Sequence, residues 1–328
     1  MSLLSTEQKA RLTAWLWCCL MLLGACHGHS HWHYGTKSVD EWPQLHLDTE
    51  NQCGGNFQSP IDIKTHETIY DQFVGPLQYI NYTERLRRAN IVNNGHTVMV
   101  SSDRNSHAAV TAHGLPGAYK FLQFHFHWGS SSTEGTEHRV DGRPFAMEMH
   151  LVHMNTMYAT PEEAYKHRDG LVVVAVFFEA GRRDNRALNS LVKALRHMHD
   201  GHTLKARLSK PVALADLLPR GARQAYFYRG SLTTPPCSEA VIWAVLRNPA
   251  KISEAQLEAF RELEVGGEDE DHQPHHLVDN FRPTFPLNGR RVFKSFPSSA
   301  TILGPEGFPS VLLCLLALGG GRLFMLQK

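Results

Sequence analysis

Apolar positions along the chain recur mostly at a spacing of two or in short unbroken runs, and only rarely at the three-to-four spacing of a helix face. Stretches 91–101, 119–128, 145–154, 171–178, 225–228 and 240–246 are rich in aliphatic, β-branched and aromatic residues of this kind and predict strands. Helical spacing is confined to 186–198 and 253–263. The second opens on Ser253 with Gln256 three residues on, a pair that can satisfy each other's backbone N–H. Strands that outnumber helices, without regular alternation, predict a β-dominated α+β fold: a sheet with short helices at its periphery. Between about residues 30 and 295 no low-complexity linker or internal repeat interrupts the pattern, so one domain is expected. The acidic run Glu268-Asp269-Glu270-Asp271, beside Gly266-Gly267, reads as a solvated loop.

The two ends break the pattern. Lys9 and Arg11 precede an uncharged, mostly apolar run from Leu12 to Leu23 and then Gly24 and Ala25, the plan of a secretory signal peptide, assigned to residues 1–28. At the other end come Ser298-Ser299-Ala300, a mixed spacer and an apolar tail broken by Gly319-Gly320-Gly321-Arg322. That is the layout of a glycosylphosphatidylinositol attachment signal over residues 298–328, with a retained transmembrane helix as the rival reading. The folded domain is then 29–297, secreted or anchored at the extracellular face of the plasma membrane. Of six cysteines, Cys18, Cys19, Cys26 and Cys314 fall in or beside these end segments, which leaves Cys53 and Cys237 to pair in an oxidising compartment. Asn81-Tyr82-Thr83 is a candidate glycosylation site.

Composition narrows the chemistry. With 42% apolar and 20% charged residues in 328, the chain can bury a sizeable core and is neither disordered nor collagen-like. Its 33 basic and 32 acidic residues cancel to +1, so no global field draws it to nucleic acid, and no nucleic-acid partner is expected. Histidine is the outlier, at 21 residues, and it both binds zinc and moves protons near neutral pH.

Two of the predicted strands carry that chemistry. In Gln123-Phe124-His125-Phe126-His127-Trp128 a period of two places Gln123, His125 and His127 on one face and the aromatics on the other. A His-x-His pair decides nothing in so histidine-rich a chain; what distinguishes this one is its apolar strand and a second strand, Glu148-Met149-His150-Leu151-Val152-His153. There Glu148, His150 and Val152 share a face, supplying a third imidazole and an acidic neighbour, while His153 points the other way and reads as a core histidine. Three neutral imidazoles leave the fourth position of a tetrahedral Zn2+ open, the catalytic rather than the structural form of such a site.

At motif level the chain resembles the alpha-class carbonic anhydrases of the secreted or membrane-linked group. The resemblance rests on Trp32-His33-Tyr34, Cys53-Gly54-Gly55, Gln58-Ser59-Pro60-Ile61-Asp62-Ile63, Asn93-Asn94-Gly95-His96 and His125-Phe126-His127-Trp128-Gly129. It continues through Glu137-His138, the Glu148 to His153 strand, Ser231-Leu232-Thr233-Thr234-Pro235-Pro236 and Val278-Asp279-Asn280-Phe281-Arg282-Pro283, covering roughly 265 residues. It implies a mainly antiparallel twisted sheet of about ten strands, zinc on His125, His127 and His150, and reversible hydration of carbon dioxide to bicarbonate and a proton. It further implies that Gln123 orients His125, Glu148 orients His150, and Asn280 with its backbone supports His127. Thr233 would accept a hydrogen bond from the nucleophile and pass its own proton to Glu137, and Thr234 would contact bicarbonate. Val152, Val173, Leu232, Val241 and Trp243 would form the apolar pocket for carbon dioxide, and His96 would shuttle protons through waters ordered by Tyr34 and Asn94. Met99 departs from the polar wall that the resemblance implies at that point of the cleft, which puts turnover speed in question. Bicarbonate transporters are the partners such an enzyme would serve, and a non-catalytic cell-surface binding module on the same scaffold is the competing reading.

Overall fold

Strands covered on both faces need apolar side chains at every position rather than at alternate ones, and the centre of this sheet is built from such runs. The computed structural model describes residues 32–102, 106–199, 202–265 and 275–297. Seven strands form its middle: β1 (Ala89–Asn93), β2 (Val98–Ser102), β3 (Tyr119–Trp128), β4 (Met147–Asn155), β5 (Leu171–Gly181), β6 (Ala225–Gly230) and β7 (Val241–Leu246). They lie in the order β1-β2-β3-β4-β5-β7-β6 within a sheet of 13 strands among the described residues. Lys205–Arg207 extends the sheet beyond β1, and Phe293–Lys294 and Ile69–Tyr70 extend it beyond β6. Most neighbours are antiparallel; β5 runs parallel to β7 and to Ala250–Ser253, and Phe293–Lys294 runs parallel to Ile69–Tyr70. The sheet-centred, mainly antiparallel fold expected from the sequence is therefore present, with ten strands on its main path.

The helices are short and peripheral. The expected helix over 186–198 resolves into a 3-10 turn, Arg186–Leu188, running into α1 (Asn189–Leu195). The second is α2 (Glu254–Arg261), and its Ser253 and Gln256 do form the reciprocal cap.

One expected element differs. Stretch 91–101 is not a single strand but the hairpin β1–β2, turning at Asn94 to Thr97. Asn94 Oδ1 accepts the backbone N–H groups of His96 and Thr97, at 3.0 and 2.8 Å, and Gly95 adopts a left-handed φ of +81°. An Asn-Asn-Gly-His sequence between two apolar runs suits such a reversal, because only glycine enters the left-handed region without strain.

A bulge in β3 sets which face holds the chemistry. Pairing with β4 shifts between Phe121 and Gln123, so Phe121 lies opposite His153 while His125 lies opposite His150. Tyr119 and Phe121 before the bulge and Phe124, Phe126 and Trp128 after it all join one large core, with Met149, Leu151, Val174 and Val176. The opposite face carries a second core containing Val152, Val173, Ala175, Val241 and Trp243. Were the strand to alternate strictly through Leu122, with no bulge there, one of the two aromatic sets would fall on the wrong side.

The described residues up to Phe296 fall into one compact unit. The segments assigned to a signal peptide and an attachment signal, with four of the cysteines, lie outside the described residues. Cys53 and Cys237 are joined by a disulfide that closes a separation of 184 residues.

Candidate metal centre

On the second-core side of the sheet, β3 presents His125 and His127 and β4 presents His150, directly opposite His125. One ring nitrogen from each lies within 4.8 Å of the others. The remaining nitrogens are all committed to oxygen acceptors: His125 Nδ1 to Gln123 Oε1 at 2.9 Å, His127 Nδ1 to the Asn280 carbonyl at 2.7 Å, and His150 Nε2 to Glu148 Oε1 at 2.7 Å. An amide oxygen, a carbonyl and a carboxylate can only accept, so each outer nitrogen carries the proton and each inner one carries a lone pair. Those lone pairs converge, His127 Nε2 and His150 Nδ1 standing 3.1 Å apart. Burial, reinforced by the neighbouring imidazoles, holds His125 well below the usual histidine range, and burial lowers His127 as well. Three neutral donors aimed at one point repel one another unless a cation lies between them, so this donor set fits Zn2+.

The support behind His150 reaches further than the sequence suggests. Glu148 Oε1 accepts a second hydrogen bond from His138 Nδ1 at 2.7 Å, and Oε2 accepts the His138 backbone N–H at 2.9 Å. His138 Nε2 meets the Tyr228 hydroxyl at 2.6 Å, which in turn lies 2.9 Å from Ser59 Oγ. Burial would raise the Glu148 carboxyl, but His138 and His150 and their hydrogen bonds outweigh it and hold the group well below the carboxylate range. His138, Glu148 and His150 also offer three donor atoms close together. At 2.7 Å those contacts are hydrogen bonds too short to admit an ion between them.

Glu137 approaches from the other side. Its Oε1 accepts the Arg282 N–H at 3.0 Å, while Oε2, buried and without a hydrogen bond, stands 3.5 Å from His127 Nε2 and 3.8 Å from His150 Nδ1. No hydrogen bond joins it to Thr233, which is 5% exposed. Arg282 is a buried hub: it donates to Gln58 Oε1, to the Ser59 carbonyl and to the Cys53 carbonyl. Burial draws its pKa down to about 10 against the opposing pull of Glu137. The loop from Ser231 to Cys237 is fixed by Ser231 Oγ, which accepts the Ser59 N–H, and by the disulfide; the Thr234 carbonyl accepts the Cys237 N–H at 2.8 Å.

Most of the other predicted positions sort into two groups. Val152, Val173, Val241 and Trp243 share one buried cluster, with Leu232 packed on it, and the Trp243 ring lies 4.7 Å from that of His150. His96 stacks flat on Trp32 at 3.8 Å, in an aromatic group with Tyr34 and Trp42. The Tyr34 hydroxyl is buried without a hydrogen-bond partner among the described residues, and burial with the Glu137 charge raises its pKa well above the phenol value. Asn280 stitches this region to β3: Nδ2 donates to the carbonyls of His96 and Phe126, and Oδ1 accepts the Trp128 N–H. Met99 is nearly buried and pairs with His125 across β2 and β3. Asn81 is exposed, its Nδ2 donating to the His107 carbonyl at 3.1 Å.

Residues 37–296 match the family described as Eukaryotic-type carbonic anhydrase. The chain belongs to that family. Carbonic anhydrase 7 of Mus musculus and of Homo sapiens are each 42% identical to it over 274 residues, 82% of this chain and 98% of theirs. Carbonic anhydrase 15 of Mus musculus is 36% identical over 296 residues, 88% of this chain and 90% of its own length. The protein is thus a carbonic anhydrase, an enzyme of a zinc-dependent family, and its buried histidine cluster is where such an enzyme could hold its metal. Among the described residues, no helix is long and apolar enough to cross a membrane. Three contributors to this carbonic anhydrase site were assigned no role from sequence: His138, Tyr228 and Arg282. Glu137-His138 marked the right place, but only the fold shows His138 turning to Glu148 while Glu137 faces the imidazoles.

Proposed function

We propose that this carbonic anhydrase catalyses the reversible hydration of carbon dioxide at the extracellular face of the plasma membrane, with Zn2+ on His125, His127 and His150. The observation that carries the reading is the three converging imidazole nitrogens, each fixed from behind by an acceptor. Zinc in such a site supplies a nucleophilic hydroxide at neutral pH by lowering the pKa of water to about 7, carbonic anhydrase being the standing example. The protein's part is placement. Glu137 Oε2, free of other partners, is the acceptor towards which Thr233 can turn its hydroxyl proton, so that the hydroxyl oxygen accepts from the nucleophile and orients its lone pair. Val152, Val173, Leu232, Val241 and Trp243 offer an apolar surface that holds carbon dioxide, and Thr234 stands ready for bicarbonate. His96 carries the proton outward through waters ordered by Tyr34 and Asn94, with Trp32 as the platform on which its ring rests.

The extracellular placement is supported by the end segments and by the disulfide, which belongs to an oxidising compartment. It brings with it lipid anchorage through residues 298–328, glycosylation at Asn81 and bicarbonate transporters as neighbours. Stopped-flow carbon dioxide hydration, with zinc measured on the same sample, tests the chemistry. Rapid hydration at one zinc per chain, abolished in His150→Ala, is expected. Full zinc occupancy with no rate above buffer would overturn the catalytic reading.

A further inference from the structure

The charge of this chain is balanced overall but not locally. Residues 182–197 contain Arg182, Arg183, Arg186, Lys193 and Arg196 against a single acid, Asp184, leaving 28 basic and 31 acidic residues over the rest of the sequence. All five cations are exposed, as is His197, and among the described residues none of these six side chains makes a hydrogen bond or ion pair. The segment is not a loose tail. It runs from the end of β5 through the 3-10 turn into α1, whose Leu191, Val192, Ala194 and Leu195 are buried. It is also tied to α2: Gln256 Nε2 donates to the Asn185 carbonyl and to Asn189 Oδ1, and Ser253 Oγ donates to Asp184 Oδ1 at 2.6 Å.

Between α1 and the first turn of α2 lies a cavity of about 500 Å3, lined by Lys193, Arg196 and His197 on one wall and by Asp184, Ala255 and Gln256 on the other. That volume is in the range of small-ligand sites. The one acid on its wall is already bonded to Ser253, and Gln256 has its polar atoms committed to neighbouring groups. What faces the cavity without a partner among the described residues is the Lys193 and Arg196 cations and the His197 ring, and the N-terminus of α2 adds the positive end of its dipole.

Local structure accounts for only part of this charge. A cation in the last turn of a helix is favoured by the dipole, which explains Lys193 and Arg196. Arg186 stands just before α1, where the dipole is positive and cations are disfavoured, and Arg182 and Arg183 lie beyond any favourable helix end. Like charges crowded without counter-ions raise the free energy of the fold, so an external anion is the simplest source of compensation.

We propose that this cavity and its arginine approach bind a linear sulfated polysaccharide, one sulfated sugar entering between α1 and α2 and its neighbours lying along Arg182, Arg183 and Arg186. Sulfate esters stay ionised at every physiological pH, and guanidinium groups bind such oxyanions bidentately. The choice of a sulfated glycan over other polyanions rests on the extracellular reading given above. Labelling of intact cells tests that location separately.

The experiment is binding of the full chain, in mild detergent, to immobilised heparin, desulfated heparin and single-stranded poly(U) RNA across a salt series. Heparin should bind in a steeply salt-dependent manner and desulfated heparin weakly. A variant carrying Arg183→Gln, Lys193→Gln and Arg196→Gln should lose at least about tenfold in heparin affinity with hydration unchanged, since these exposed groups touch nothing in the metal centre. Equal binding of the desulfated polymer, tighter binding of RNA, or full heparin affinity in the variant would overturn the proposal.

Discussion

Glu148→Gln is the most informative single change at the metal centre, because the carboxylate accepts three hydrogen bonds there: two from His138 and one from His150. An amide of the same shape has one oxygen and one NH2, and neither orientation satisfies the site. With the oxygen towards the two imidazoles, the NH2 meets the His138 backbone N–H and a buried donor is stranded, at a cost of about 1–3 kcal/mol. With the NH2 towards the imidazoles, His150 must accept on Nε2 and move its proton to Nδ1, the atom that should hold the metal. The metal-free protein should therefore lose about 1–3 kcal/mol of stability, and zinc affinity should fall about 10–100-fold. Urea unfolding of the metal-free forms and zinc release to a competing chelator would measure the two separately. The pH dependence has a definite sign. A carboxyl held below its ordinary value of 4.5 contributes stability that is complete above that value and drains away as pH falls beneath it. The gap between the parent and Glu148→Gln should accordingly be level near neutrality and close only below about pH 4.5. Zinc release and stability both matching the parent would refute the argument.

Three further outcomes follow from other parts of the fold. His153, buried against Tyr82 and drawn down by burial to about 4, resists protonation that the unfolded chain accepts. Stability should fall between pH 6.5 and 4 by about 3 kcal/mol more than in His153→Gln, as read by urea unfolding at each pH. Removing the disulfide as Cys53→Ala with Cys237→Ala reopens a loop with a separation of 184, worth about 5 kcal/mol in the chain-entropy account, and should show as a large drop in melting temperature. His96→Ala should slow turnover in weak buffer by about tenfold or more and recover with added imidazole, with zinc content unchanged.

The strand pattern, the capped second helix and the face of β3 and β4 that holds three histidines are all legible in the sequence, because each depends on neighbours a few residues away. Elements of two or three residues, such as Ile69–Tyr70 and Phe293–Lys294, are not, since distant pairing alone makes them strands. The β1–β2 hairpin was readable in Asn94 and Gly95 but hidden by the apolar runs on either side. At the site, the residues flanking each histidine were accessible from period and motif. The chain from Glu148 through His138 and Tyr228 to Ser59 was not, because it joins residues up to 169 apart in sequence.

The bulge at Leu122 gives the metal-bearing strand a spare residue. Deleting Leu122 would let β3 alternate regularly, with Tyr119 and Phe121 still in the large core and the two histidines still on their own face. Deleting a residue between His125 and His127 would instead place the pair on opposite sides of the sheet. Length variation within this one strand is thus tolerable at Leu122 and ruinous four residues later, so insertions and deletions, more than substitutions, mark where the fold guards its chemistry.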